Sequence, residues 1–155
     1  MTLASGPAGM PGVPGLPAAS GAIAGIGVDV VDVTRLEGAI ERSPRFLERV
    51  FAPGERELPP RSLAARWAAR EAAMKAIGGL GGISLLDLEV VRRDGGEPAF
   101  ARGPRLAREL ERRGICALHL SMTHDGPVAI AFVVAERAAP PSGGAASGPP
   151  PTSAA

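Results

Sequence analysis

Three residues of this 155-residue chain are of types and at spacings that could do phosphate chemistry: Asp29, Glu71 and Lys75. Asp29 stands between Val28 and Val30 in "AIAGIGVDVVDV", and Glu71 and Lys75 stand four apart in "AAREAAMKAIG". An acid among apolar neighbours must be solvated, hydrogen-bonded or bound to a cation, because an unpaired buried carboxylate is costly. Read singly, each has a plain alternative. Asp29 could cap a neighbour on an edge strand, and Glu71 with Lys75 could be a surface helix pair worth about 0.2–0.5 kcal/mol. Taken as one site, the acids supply hard oxygen ligands for a divalent ion and the lysine supplies a cation for phosphate oxygens. Magnesium is commonly held by one or two carboxylates, with water and substrate phosphate completing its octahedron. A metal and an ammonium can together neutralise charge in phosphoryl transfer without a covalent intermediate.

Other chemistries find less support. His124 is expected at a tight turn just after a strand, where a histidine is more often a structural donor, and His119 reads as an alternating strand residue with no special role. Ser121 and Cys116 have no evident activating partner, and the G-x-S-x-G elbow of a serine hydrolase is absent. "GIGVDV" has Val30 where the third glycine of a dinucleotide-binding loop would stand, and no helix opens there. No Cys/His set has zinc spacing.

The elements that must position the three residues follow from periodicity and stop signals. Ile26, Val28 and Val30 alternate with Gly27, Asp29 and Val31, which predicts a strand with Asp29 inside it. Thr34 is expected to cap a short helix to Arg42, Ser43-Pro44 to start a second, and "FAPGERE" a third. The longest helix is expected over Ser62–Ile77, ended by "GGLGG". At about 100° per residue Leu63, Trp67, Met74 and Ile77 share a stripe and alanines fill most of the rest, so other structure should approach this helix closely. Arg70 falls within the stripe, an expensive place for a cation unless an anion meets it. Further strands are expected at "LLDLEVVRR", "PAFA", "ICALHLSM" and "PVAIAFVVAE", the last two parted by "THDGP", with a helix over Pro104–Arg113. The last strand is apolar on both faces and so should lie under cover. The expected fold class is α+β, an antiparallel sheet curled around a long central helix.

All 33 charged side chains, 17 basic and 16 acidic, fall within residues 21–137. Segments 1–20 and 138–155 are rich in Gly, Pro, Ala and Ser and read as disordered tails flanking one domain at 21–137. The start lacks a basic, unbroken apolar export signal, no apolar run nears 20 residues, and the single Cys116 has no disulfide partner in the chain. A cytoplasmic location with no membrane association is expected. A formal net charge of +1 argues against nucleic-acid binding through bulk charge.

Four segments in order, "GIGVDVVDVTRLE", "RVFAPGERE", "LAARWAAREAAMKAIG" and "LHLSMTHDGPVAIAFVVAE", resemble the holo-acyl-carrier-protein synthases, the short bacterial type of 4'-phosphopantetheinyl transferase. The resemblance spans nearly all of residues 23–136. It implies transfer of the phosphopantetheine arm from coenzyme A to a serine of an acyl carrier protein, with adenosine 3',5'-bisphosphate leaving, in fatty-acid and lipid metabolism. By the same resemblance Asp29 and Glu71 are ligands of Mg2+, and Lys75 neutralises the pyrophosphate. Glu71 is also the first choice to take the serine proton. His124 contacts the coenzyme, as does Arg70, which stands where many relatives have lysine. Arg35 is directed toward the acidic recognition helix of the carrier, and Arg42, Arg45 and Arg49 either widen that surface or are simply solvated. A homotrimer with active sites between neighbouring subunits is implied as well. The sequence departs from many relatives in having no aromatic residue after the histidine. The rival reading is a noncatalytic module that holds an acidic carrier or a nucleotide through its arginines.

Overall fold

The computed structural model describes residues 22–138. The expected tails lie outside that range, except for Ala138 at its edge. Strand β1, Ile23–Asp32, runs directly into helix α1, Val33–Arg42. The cap of α1 is Asp32, not Thr34: its carboxylate accepts from the Arg35 amide at 2.8 Å, so the helix opens two residues earlier than expected. Helix α2, Pro44–Val50, has proline at its first position, while Ser43 makes no side-chain cap bond. The start signal in "FAPGERE" produces only a single 3-10 turn, Pro53–Glu55. Helix α3 spans Pro60–Ile77, two residues longer than expected because Pro60 fits the first turn, and Gly78 closes it at φ 81°.

Leu85–Leu88 is a 3-10 turn, not the start of a strand. Asp87 accepts from the Ser84 amide at 2.7 Å and its hydroxyl at 2.8 Å, which turns the chain before strand β2, Val90–Arg92. Strand β3, Pro98–Phe100, pairs with β2, and helix α4, Pro104–Arg112, follows. Strands β4, Ile115–Asp125, and β5, Val128–Arg137, form a hairpin. His124 therefore sits inside β4, opposite Ala129, and the turn is confined to Gly126-Pro127.

The main sheet has the order β1-β5-β4, antiparallel throughout. Its inner face is made of small residues: Gly27 opposes Val133, Asp29 opposes Ala131 and Val31 opposes Ala129. This face lies on α3, whose Ala64, Ala65, Ala68, Ala69, Ala72, Ala73 and Ala76 are all buried. Alanine on the helix and glycine on the strand let the two backbones touch, as the alanine-rich sequence predicts. The outer face is the reverse: Ile26, Val28, Val30, Ile130 and Phe132 are exposed, Val30 to 60%. The cover expected for β5 thus exists on one side only.

Beneath α3 the core anticipates a partner for Arg70 and has one. Arg70 has no exposed surface; its guanidinium is paired with the buried Glu55, donates to the carbonyls of Leu85 at 3.1 Å and Arg66 at 3.2 Å, and lies over the Phe51 ring. Glu55 also accepts from the amides of Ala52 at 2.9 Å and Val90 at 3.1 Å. Both oxygens of that carboxylate thus accept hydrogen bonds, which is what burying it requires.

Candidate functional site

The antiparallel register turns Asp29 to the same face as Gly27, toward α3, and the helix presents Glu71 and Lys75 one turn apart. The Lys75 ammonium donates to Asp29 Oδ1 at 2.7 Å and to the Val28 carbonyl at 2.8 Å. Asp29 therefore does not cap a neighbouring strand. Glu71 feels the same carboxylate: burial first, and the charge of Asp29 second, push its carboxyl above the ordinary value of 4.5, with Lys75 acting in the opposite sense. Asp29 and Glu71 line one cavity of about 560 Å³, which Arg35 also borders. Leu36, Phe46 and Trp67 form its apolar wall, Phe46 and Trp67 meeting edge to face at 5.5 Å. Four expected site residues from three elements, β1, α1 and α3, are thus brought together.

Two others are not. Arg70 follows the helix to the opposite side from solvent, and its pairing with Glu55 leaves it no surface toward a ligand. Coenzyme contact is therefore replaced by a role in the core: residue 70 precedes Glu71 by one position, about 100° around the helix, which separates a buried face from an open one. His124 is exposed and lines a second cavity, about 210 Å³, that shares no residue with the first.

Beside His124 that cavity holds two cations the sequence reading did not single out, Arg66 and Arg92. Arg66 Nε is buried without a hydrogen-bond partner and stands 3.6 Å from Glu55 Oε1. Burial lowers the guanidinium's pKa, the charge of Glu55 opposing that effect. An orphaned arginine nitrogen next to a second arginine and a histidine suits an anionic group. The available signal was the position of Arg66 one turn after Ser62 on α3, but only the fold of β4 across the helix brings His124 to that turn.

Among the described residues no group of three or more His, Cys, Asp or Glu side chains could hold a metal. A divalent cation at this site would rest on Asp29 and Glu71. The donor set fits such an ion: two carboxylates, one made harder to ionise by the other, are relieved by a hard cation between them.

The model of the 4'-phosphopantetheinyl transferase superfamily matches residues 25–133. The chain belongs to that superfamily. It is 57% identical over 114 residues to a holo-[acyl-carrier-protein] synthase of Clavibacter sepedonicus, covering 74% of this chain and 96% of that protein. The solved structure of holo-[acyl-carrier-protein] synthase from Neisseria meningitidis is similar with a TM-score of 0.69 at 35% identity, covering 74% of this chain and 99% of that one. That of the Helicobacter pylori synthase in complex with coenzyme A is similar with a TM-score of 0.63 at 30% identity, over 71% and 98%. The superfamily match begins at Gly25 and ends at Val133, inside the segment expected to form the domain. It takes in every expected site residue.

Proposed function

We propose that this member of the superfamily is a holo-[acyl-carrier-protein] synthase, transferring the 4'-phosphopantetheine arm of coenzyme A to a serine of an apo-acyl carrier protein. The observation that carries the reading is the convergence of Asp29 and Glu71 at one cavity with Lys75 bonded to Asp29 beside them, in a chain 57% identical to a relative of that name. In the reaction the serine oxygen forms a bond to the phosphorus that bears the pantetheine, the bridging P–O bond of the diphosphate breaks, and adenosine 3',5'-bisphosphate departs.

Asp29 and Glu71 are the residues that would hold Mg2+, which when bound supplies charge neutralisation to the diphosphate. Lys75, with one of its three donors still free beyond Asp29 and Val28, offers that donor to a phosphate oxygen. Glu71 has the raised carboxyl that suits a group receiving the serine proton. Arg35 and the apolar wall of Leu36, Phe46 and Trp67 face the carrier, since the acceptor serine must reach the acids through this cavity. The charged rim gives orientation, and the wall takes apolar side chains flanking the serine.

His124, Arg66 and Arg92 are assigned to a phosphate of the coenzyme. Their cavity is separate from the acids within one chain, so we place the complete site between two copies, His124 of one beside Asp29 and Glu71 of another. The outer sheet face, with Ile26, Val28, Val30, Ile130 and Phe132 exposed, supports assembly of the chain as a homotrimer, because a contiguous apolar face of this kind is uncommon on a monomer.

The test is the mass of an apo-carrier incubated with this protein and coenzyme A. One phosphopantetheine is expected to be added with Mg2+ and none with a chelator; a carrier that stays apo with Mg2+ across several carriers would refute the reading.

A further inference from the structure

Gly25 and Gly27 lie within strand β1 and neither has a positive φ. No backbone conformation requires glycine at these two positions. The contact with α3 does. A Cβ on Gly27 would overlap the Ala72 carbonyl oxygen and stand 2.8 Å from its carbon and 2.9 Å from the Ala76 nitrogen. A Cβ on Gly25 would overlap the Ala76 carbonyl oxygen and stand 3.1 Å from that carbon. The partners are backbone atoms of a buried helix, so no side chain can swing aside.

Ala72 and Ala76 each follow a site residue, Glu71 and Lys75, by one position, and Gly27 precedes Asp29 by two on the same strand face. Side chains at a contact between elements keep their backbones apart, as in packed helices, whose axes lie about 8–10 Å from each other. An aspartate has one methylene with which to cross such a gap. Here it reaches the lysine at 2.7 Å because strand and helix touch without a side chain between them.

We infer that Gly27 is a positioning residue of the active site: by lacking a side chain it sets the β1–α3 spacing at which an aspartate, and not a longer acid, meets Glu71 and Lys75. The inference rests on the reading of Asp29 and Glu71 as the acids that hold the divalent ion. It makes a prediction that a purely structural glycine does not. Displacing β1 should be compensated by lengthening the acid, since Asp29→Glu adds one methylene, about 1.5 Å of reach.

The experiment measures Mn2+ binding to the full-length protein in the presence of coenzyme A and without carrier, by loss of the free Mn2+ resonance signal, alongside thermal unfolding. Wild type is expected to bind. Gly27→Ala should weaken binding about tenfold or more, in the range of losses from displaced supporting groups, and Asp29→Glu alone should weaken it comparably. The double variant Gly27→Ala with Asp29→Glu should bind more tightly than Gly27→Ala alone while melting no higher. Wild type that fails to bind Mn2+ would overturn the metal reading and this inference together. Wild type that binds, with a double variant no tighter than Gly27→Ala, would overturn the positioning role alone. Should Gly27→Ala not fold, Asp29→Glu decides by itself: binding equal to wild type shows that the spacing selects no particular acid, and the role is refuted.

Discussion

Glu71 is under opposing demands. Burial and Asp29 disfavour its charge, while a cation or the acceptor proton would use it. Replacing it by glutamine should therefore separate stability from function. Glu71→Gln is expected to lower transfer by about 10²-fold or more, the scale for removing one charge-stabilising group, while its melting temperature without Mg2+ stays level or rises. Carrier mass against time and a thermal melt read the two quantities. Glu55 is the contrary case, because its charge is what Arg70 needs. Glu55→Ala leaves a fully buried guanidinium unpaired and should cost roughly 3–5 kcal/mol, read by urea denaturation. At this scale the sequence shows Asp29, Glu71 and Lys75 by type and spacing, and it shows that Arg70 needs an anion. It does not show which anion, since Glu55 is 15 residues away along the chain and lies in a segment that reads only as a helix start.

At the scale of elements, α4 is tied to the end of α3 by one acid and two arginines. Glu109 accepts from Arg112 at 2.7 Å and Arg113 at 2.6 Å, and Arg113 also donates to the Ile77 carbonyl. Hydrogen bonds from Arg112 first and Arg113 second hold the Glu109 carboxyl down to about 2, below its ordinary 4.5. A carboxyl whose folded value is depressed contributes stability above its unfolded pKa and loses it as the pH falls through the folded one. Glu109→Gln should therefore lower the urea midpoint at pH 7, and the difference from wild type should shrink steadily as the pH falls from 4.5 toward 2. A difference independent of pH over that range would count against the ion pair. Helix positions are legible because proline and glycine mark their ends: Pro44, Pro60 and Pro104 open helices and Gly78 closes one. Strand ends are less so. "LLDLEVVRR" has the composition of a strand, yet Ser84 and Asp87 bond to each other and turn its first half into a 3-10 turn, a local hydrogen bond outcompeting propensity.

At the scale of the whole molecule, the proposed assembly through the exposed sheet face makes a prediction about activity. Phe132→Asp, placed in its middle, should shift the protein from trimer to monomer in solution mass measurements and abolish transfer, while the fold of the single chain persists because the inner face is untouched. A trimeric, active Phe132→Asp protein would separate the sheet face from assembly. No helix among the described residues is long and apolar enough to cross a membrane. By itself the sequence determined which groups are proposed to react, the approximate places of the helices and the α+β class, since these depend on residue type, on period and on stop signals read within a few positions; the starts of α1 and α3 each lie two residues before the expected ones. Only the tertiary structure decided which face of β1 turns inward. The alternation of Ile26, Val28 and Val30 with Gly27 and Asp29 is equally compatible with either choice, and the apolar set would ordinarily be the buried one. Close packing against an all-alanine helix face reverses that choice, because only glycine fits against its carbonyls, and Asp29 is carried in with the glycines.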